Sequence, residues 1–337
     1  MLRAGPLSFP FQTPDPFIFC VFHQDLYPPG DLKMCAPIKG TGNDFDIGKK
    51  GYRMYHGENG IPGFPGHPHR GFETITVTLN GYVDHTDSMG ASGRYGDGDC
   101  QWMTAGRGIQ HGEMFPLIYA DKPNPLKLYQ IWINLPGCRK MCEPEFCMAW
   151  SETIQAAPGQ GGAKALVYAG SLLGVKGPAP PKNSWAADPH NDVGVFVISL
   201  PFGSSFSLPP CTRTRGPMNR SAYLVLGNIT VDGESASVSR ASLQLDPTLP
   251  TLFSNAGDEA GEVLILQGAP IDEPVVSSGP FVMNSQAEIT QAFSDYRKTR
   301  FGGWPWPSSE IVFPREQGRF AVVTTDGVKT TISPPIK

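Results

Sequence analysis

Residues 67–87 read HPHRGFETITVTLNGYVDHTD. Phe72–Leu79 alternates β-branched residues with others, the pattern of a half-buried strand. Asn80-Gly81 follows it, the strongest short hairpin signal, and Tyr82–Thr86 reads as the return strand. Working outward, LKLYQIWINL at 126–135, VGVFVISL at 193–200, AYLVLG at 222–227 and Val263–Gln267 read as further strands between turn formers. One helix stands out, Gln286–Lys298, with Ser285 as N-cap and Glu288 three residues on, a capping box. Many short strands, Gly/Pro turns and one late helix point to an all-β sandwich or barrel.

Composition agrees. The 337 residues include 39 Gly and 34 Pro, while charged residues are 17%, below the roughly 25% of ordinary soluble domains. Long helical bundles and coiled coils are excluded. A formal net charge of -4 argues against a direct nucleic-acid partner that works by phosphate neutralisation. No apolar run approaches the ~18 residues of a membrane span, and the Pro-interrupted N-terminus is a poor signal peptide. The seven cysteines form no CxxC pair and read as reduced thiols of an intracellular protein. The length suggests two domains, with a joint near the Pro/Gly-rich stretch at 158–162. The short strand-to-Gly runs TVTLNGYV at 76–83 and YLVLGNITV at 223–231 hint at two copies of one β-unit.

The chemistry is concentrated in two dyads, His67-Pro68-His69 and His111-Gly112-Glu113. Both have i, i+2 spacing. On a strand, side chains two apart share a face, about 6.6 Å apart along the axis. Two neighbouring strands can therefore aim four ligands at one point. Three imidazoles and a carboxylate suit iron, nickel, copper, manganese or zinc. Glu73 is a rival for the fourth position, since it has the parity of His69 on a continuous strand; Glu113 is preferred because its strand already delivers His111. His23, His56, His85 and His190 read as surface or hydrogen-bonded structural residues. Phe72, Trp102 and Met103 flank the ligand strands and are candidates for an apolar wall against an aromatic substrate. Arg107 reads mainly as a structural hydrogen-bonding residue.

HPHRGFETITVTLNGYVDHTDSMG at 67–90, QWMTAGRGIQHGEM at 101–114, PNPLKLYQIWINLP at 123–136, GPFVMN at 279–284 and DYRKTRFGGWPWP at 295–307 together resemble the pirin signature, of the cupin superfamily. The resemblance spans roughly residues 60–321. It implies a bicupin: two tandem jelly-roll β-barrels, the first at 1–155 with the metal site, the second at 156–300 without metal ligands, then a late helix and an extended C-terminal tail at 301–337. It implies His67, His69, His111 and Glu113 as ligands, iron(II) first among the metals, and Glu113 also as the catalytic base. The implied activity is similar to that of quercetin 2,3-dioxygenase: a flavonol and O₂ give a depside and carbon monoxide. The substrate supplies the electrons, so no organic cofactor is needed. The alternative the family offers is a non-enzymatic, redox-sensitive iron protein that partners a transcription factor. Either implies a cytoplasmic or nuclear setting and a monomer. Two departures stand out. Asp97-Gly98-Asp99 replaces the familiar Pro-Gly-Asp turn, and the stretch from about 28 to 64 is longer than usual, placed where it can narrow the mouth of the site.

Overall fold

A computed structural model describes residues 3–37, 51–213, 216–235, 240–325 and 328–335. The chain is mostly strand, with one α-helix among the described residues, Gln286–Thr299. It divides into two compact units, each built from two antiparallel sheets packed on a shared apolar interior, as double-sheet jelly rolls are. None of the helices among the described residues is long and apolar enough to cross a membrane.

One unit comprises 1–21, 132–134 and 153–272. Its larger sheet has seven strands, with Gly194–Leu200, Gly261–Gly268 and Asn219–Leu226 at its centre, and its smaller sheet has four. Phe196, Ile198, Leu224 and Ile265 of the first meet Phe206, Val231 and Phe253 of the second in one buried cluster.

The other unit comprises 22–131, 135–152 and 273–337. A six-stranded sheet runs in the order Val328–Ile332, Phe320–Thr325, Ser92–Gly96, Tyr82–Asp87, Ile109–Met114, Gly63–His69. A five-stranded sheet carries Glu145–Ala149, Cys100–Thr104, Phe72–Asn80 and, within this unit, residues 124–131 of the strand Asn124–Asn134 and 22–27 of the strand Phe17–Tyr27. Asn80-Gly81 makes a turn, with Gly81 at φ 78°, but not the expected hairpin: Phe72–Asn80 belongs to the five-stranded sheet and Tyr82–Asp87 to the six-stranded one, so the turn is a corner between sheets. Ser285 caps the helix, its hydroxyl oxygen accepting from the Glu288 N–H, while the Glu288 carboxylate accepts from Asn284 N and Ser285 Oγ. The expected capping box is therefore present, with the carboxylate reaching one residue further back than usual.

The units interleave in sequence, so they depart from a division at 155 and 300. Backbone pairing is the reason. Arg3–Pro6 pairs with Ala241–Gln244, which ties the N-terminus to the later unit. Within the C-terminal tail, Phe320–Thr325 pairs with Ser92–Gly96. Arg94, fully buried, forks onto both oxygens of Asp84 at 2.7 Å and gives its remaining donors to the carbonyls of Phe313, Pro314 and Gln317. Phe313 N–H closes the network on Asp84.

Removing one partner of such a pair strands the other charge in the interior. Arg94→Met should therefore cost about 3–5 kcal/mol of stability in urea denaturation. A loss below about 1 kcal/mol would show that this network does not hold the C-terminal segment.

Candidate metal centre

His67 and His69 leave the Gly63–His69 strand on one face, as their spacing requires. The neighbouring strand sets His111 directly opposite His67 and Ile109 opposite His69. A register shift between Phe64 and His67 adds one residue to the first strand. Gly66, inside that bulge, gives its N–H to Ser309 O at 2.9 Å. The three rings converge: centroids lie 4.5 Å apart for His67–His111, 4.7 Å for His67–His69 and 5.0 Å for His69–His111. One nitrogen from each lies within 4.8 Å of the others.

The hydrogen bonds set the tautomers. His67 Nδ1 faces Pro65 O at 2.8 Å, and His69 Nδ1 faces Pro280 O at 3.4 Å. A carbonyl only accepts, so both Nδ1 atoms carry the proton and both Nε2 atoms present a lone pair. Those two Nε2 atoms are 3.1 Å apart. His111 is buried with neither ring nitrogen hydrogen-bonded. Two lone pairs facing each other beside an orphaned imidazole fit a cation held between them. The carbonyls behind the first two rings are the outer partners that metal-ligating histidines usually have. Burial pushes the His67 pKa down to about 4, and burial together with the neighbouring rings holds His69 and His111 well below the usual imidazole range. All three are thus neutral donors near pH 7.

Glu113 stands beside the cluster. Its Oε1 accepts from Thr76 Oγ1 at 3.1 Å and Tyr95 OH at 3.5 Å, its Oε2 from Gln130 Nε2 at 2.7 Å. Oε2 lies 3.9 Å from His111 Nε2. Burial raises its pKa, against the pull of His85 and of these hydrogen bonds.

Glu73, the rival ligand, points elsewhere. The chain turns at Arg70-Gly71 before the next strand starts, so the parity count from His69 is lost. Gly71 sits at φ 87°, and a Cβ there would come within 2.0 Å of Val282 O. Buried Lys140 secures the turn, donating to Gly71 O at 2.7 Å and Val282 O at 3.1 Å; burial lowers its pKa to about 8. After the turn Phe72, Thr74 and Thr76 face the cluster, and Glu73 faces away, accepting from Thr104 Oγ1 at 2.6 Å. The same alternation sorts the expected apolar wall. Phe72 packs on His69 with centroids 5.0 Å apart. Met103 lies opposite Thr74 and shares its face, packed with Ile109 and Phe146. Trp102 lies opposite Ile75 on the other face, so adjacent positions 102 and 103 do not both line the site. Arg107 is exposed and paired with Glu143.

His85, expected as a surface or hydrogen-bonded structural residue, is hydrogen-bonded inside the site. It stands opposite Glu113, and Asp87 opposite His111. His85 is fully buried, its Nε2 3.2 Å from Asp87 Oδ2 and its ring 5.5 Å from that of His111. His85-Thr86-Asp87 has the same i, i+2 spacing as the two ligand dyads, a signal present in the sequence. Thr76, Tyr95 and Gln130, which orient Glu113, carry no such signal.

The family model for pirin matches residues 44–133, and that for the pirin C-terminal cupin domain matches 196–302. The chain is 38% identical over 248 residues to Pirin-1 of Arabidopsis thaliana, covering 71% of this chain and 78% of that protein. It is 36% identical over 239 residues to a putative quercetin 2,3-dioxygenase of Pseudomonas aeruginosa, covering 70% and 78%. The crystal structure of a quercetin 2,3-dioxygenase from Acinetobacter baumannii superposes with a TM-score of 0.68 at 26% identity, covering 86% of this chain and 87% of that one.

Imidazoles buried in the neutral form disfavour the folded state wherever the unfolded chain takes up protons and the folded one does not. For His67 that window runs from about 6.5 down to about 4. The metal-free protein should therefore lose stability as pH falls through it, and His67→Gln should flatten the slope of a urea-denaturation series. An unchanged slope in the variant would contradict this burial.

Proposed function

The chain belongs to the pirin family, and from that premise we propose that it is a metal-dependent dioxygenase that opens the heterocycle of a flavonol such as quercetin with O₂. The observation that carries the reading is the pair of Nε2 lone pairs held 3.1 Å apart beside the unpartnered ring of His111. His67, His69 and His111 would hold the ion and Glu113 would complete the set. Iron(II) is the first choice, and nickel, copper, manganese and zinc use the same donors. Bound there, the metal supplies Lewis-acid chemistry, which lowers the pKa of a hydroxyl brought to it.

The chain's own residues do the rest. The Glu113 carboxylate accepts the flavonol hydroxyl proton at one oxygen while Thr76 and Gln130 hold its orientation. Burial favours its protonated form, so a proton accepted there is retained inside the site. Phe72 and Met103 offer the apolar surface that an aromatic ring needs and that excludes water. A flavonol and O₂ together balance to a depside and carbon monoxide.

An oxygen electrode with quercetin tests this. The metal-loaded protein should consume O₂, and Glu113→Gln should keep its metal while kcat falls about 10²-fold or more, the usual loss of a general base. A variant at full rate would remove Glu113 from the chemistry. Metal bound without any O₂ uptake by the unaltered protein would overturn the dioxygenase reading and favour an interaction protein.

A further inference from the structure

Among the three clustered imidazoles, His67 alone is partly exposed; His69 and His111 are buried. Solvent therefore reaches the cluster along His67. Near it stand two more rings, one from the ligand strand itself and one from the stretch that precedes it. Phe64, half-buried, lies 6.5 Å from His67, ring centre to ring centre. His56, exposed, lies 5.7 Å from Phe64. The rings His56, Phe64 and His67 thus form a continuous path from the surface to the cluster.

This edge is built and held. Tyr55, 5.0 Å from Phe64, and Phe115, 6.0 Å from it, pack against the Phe64 ring. Tyr55 itself has φ 57°, a genuine outlier for a bulky residue and the kind of strain that collects at functional positions. It is kept there because its hydroxyl donates to Asp25 at 2.6 Å, and Asp25 is gripped by both Nε and Nη2 of Arg53 at 2.9 Å. The next residue, His56, is then set by its N–H on Gly63 O at 3.0 Å. Beyond it, Glu310 accepts from the N–H groups of Glu58 and Asn59. The backbone on both sides of His56 is fixed while its ring remains open to solvent.

We propose that His56 is a substrate-positioning residue whose exposed ring, tilted 59° to that of Phe64, forms an angled aromatic wall at the mouth of the cluster and receives an aromatic ring of the flavonol. The ligand class follows from the wall: two aromatic rings beside three imidazoles that would hold a Lewis-acid cation suit a planar polyphenol with adjacent oxygen atoms. This rests on the flavonol reading above. His56 acts on substrate affinity and holds no metal.

The test is an anaerobic titration of the iron(II)-loaded protein with quercetin, followed by quenching of tryptophan fluorescence, with O₂ uptake measured in parallel. His56→Ala should weaken Kd by about 3- to 10-fold, the range of an aromatic pair. His56→Phe should restore it to within about two-fold, and both variants should keep their iron. A change in Kd below two-fold in His56→Ala, a His56→Phe as weak as the alanine variant, or loss of iron from either overturns the wall. If quercetin binds with these differences but no O₂ is consumed, the wall stands and the reaction reading falls. If O₂ uptake is intact and Kd is indifferent to His56, the wall falls and the reaction stands. No binding of quercetin by the unaltered protein sinks both.

Discussion

Two nitrogen lone pairs held 3.1 Å apart in a buried site repel each other, and the surrounding structure is arranged to keep them so. The carbonyls of Pro65 and Pro280 prevent either ring from moving its proton to the inner nitrogen without giving up a hydrogen bond. Desolvation disfavours the charged form of these rings, so all three imidazoles stay neutral at ordinary pH and protonation does not relieve the repulsion. What remains is a site whose unmet electrostatic demand is for a cation. Glu113 adds a carboxylate at its border, and that carboxylate is itself fixed by Thr76 and Gln130.

Strand geometry makes this arrangement cheap to build. Directly opposed residues of antiparallel strands lie about 4.5–5.5 Å apart at Cβ, so one register places His67 against His111 and the next strand places Asp87 against His111 and His85 against Glu113. Counting His69 with them, four of these groups come from two i, i+2 dyads and two more from a third. The C-terminal segment closes the back of the sheet: Trp306 Nε1 donates to Asp87 O, Gln110 donates to the carbonyls of Arg300 and Gly303, and Ser309 takes the N–H of Gly66 in the bulge.

How far the sequence exposed this depended on the range of the interaction. The strand from Phe72, the Asn80-Gly81 turn and the helix capped by Ser285 are local and were legible from periodicity and turn chemistry. The convergence of His67, His69 and His111 was legible as well, because alternation alone puts each pair on one face. Parity fails where the chain turns between strands. Glu73 keeps step with His69 only if Gly71 is ignored, and Trp102 and Met103 cannot share a face. His85-Thr86-Asp87 obeys the same spacing rule, but spacing alone does not separate a hydrogen-bonded pair from a ligand pair. The interleaving of the units was beyond local reading, because it is fixed by pairings such as Arg3 with Gln244 and Ala321 with Gly93 that join residues far apart in the chain.

The imidazole cluster as a cation site is the claim on which the chemistry stands. Equilibrium dialysis of the metal-free protein against iron(II) without oxygen measures it directly. One ion bound per chain, lost in a folded His111→Ala variant, is the result this account predicts. No bound ion, or equal binding in that variant, would contradict it.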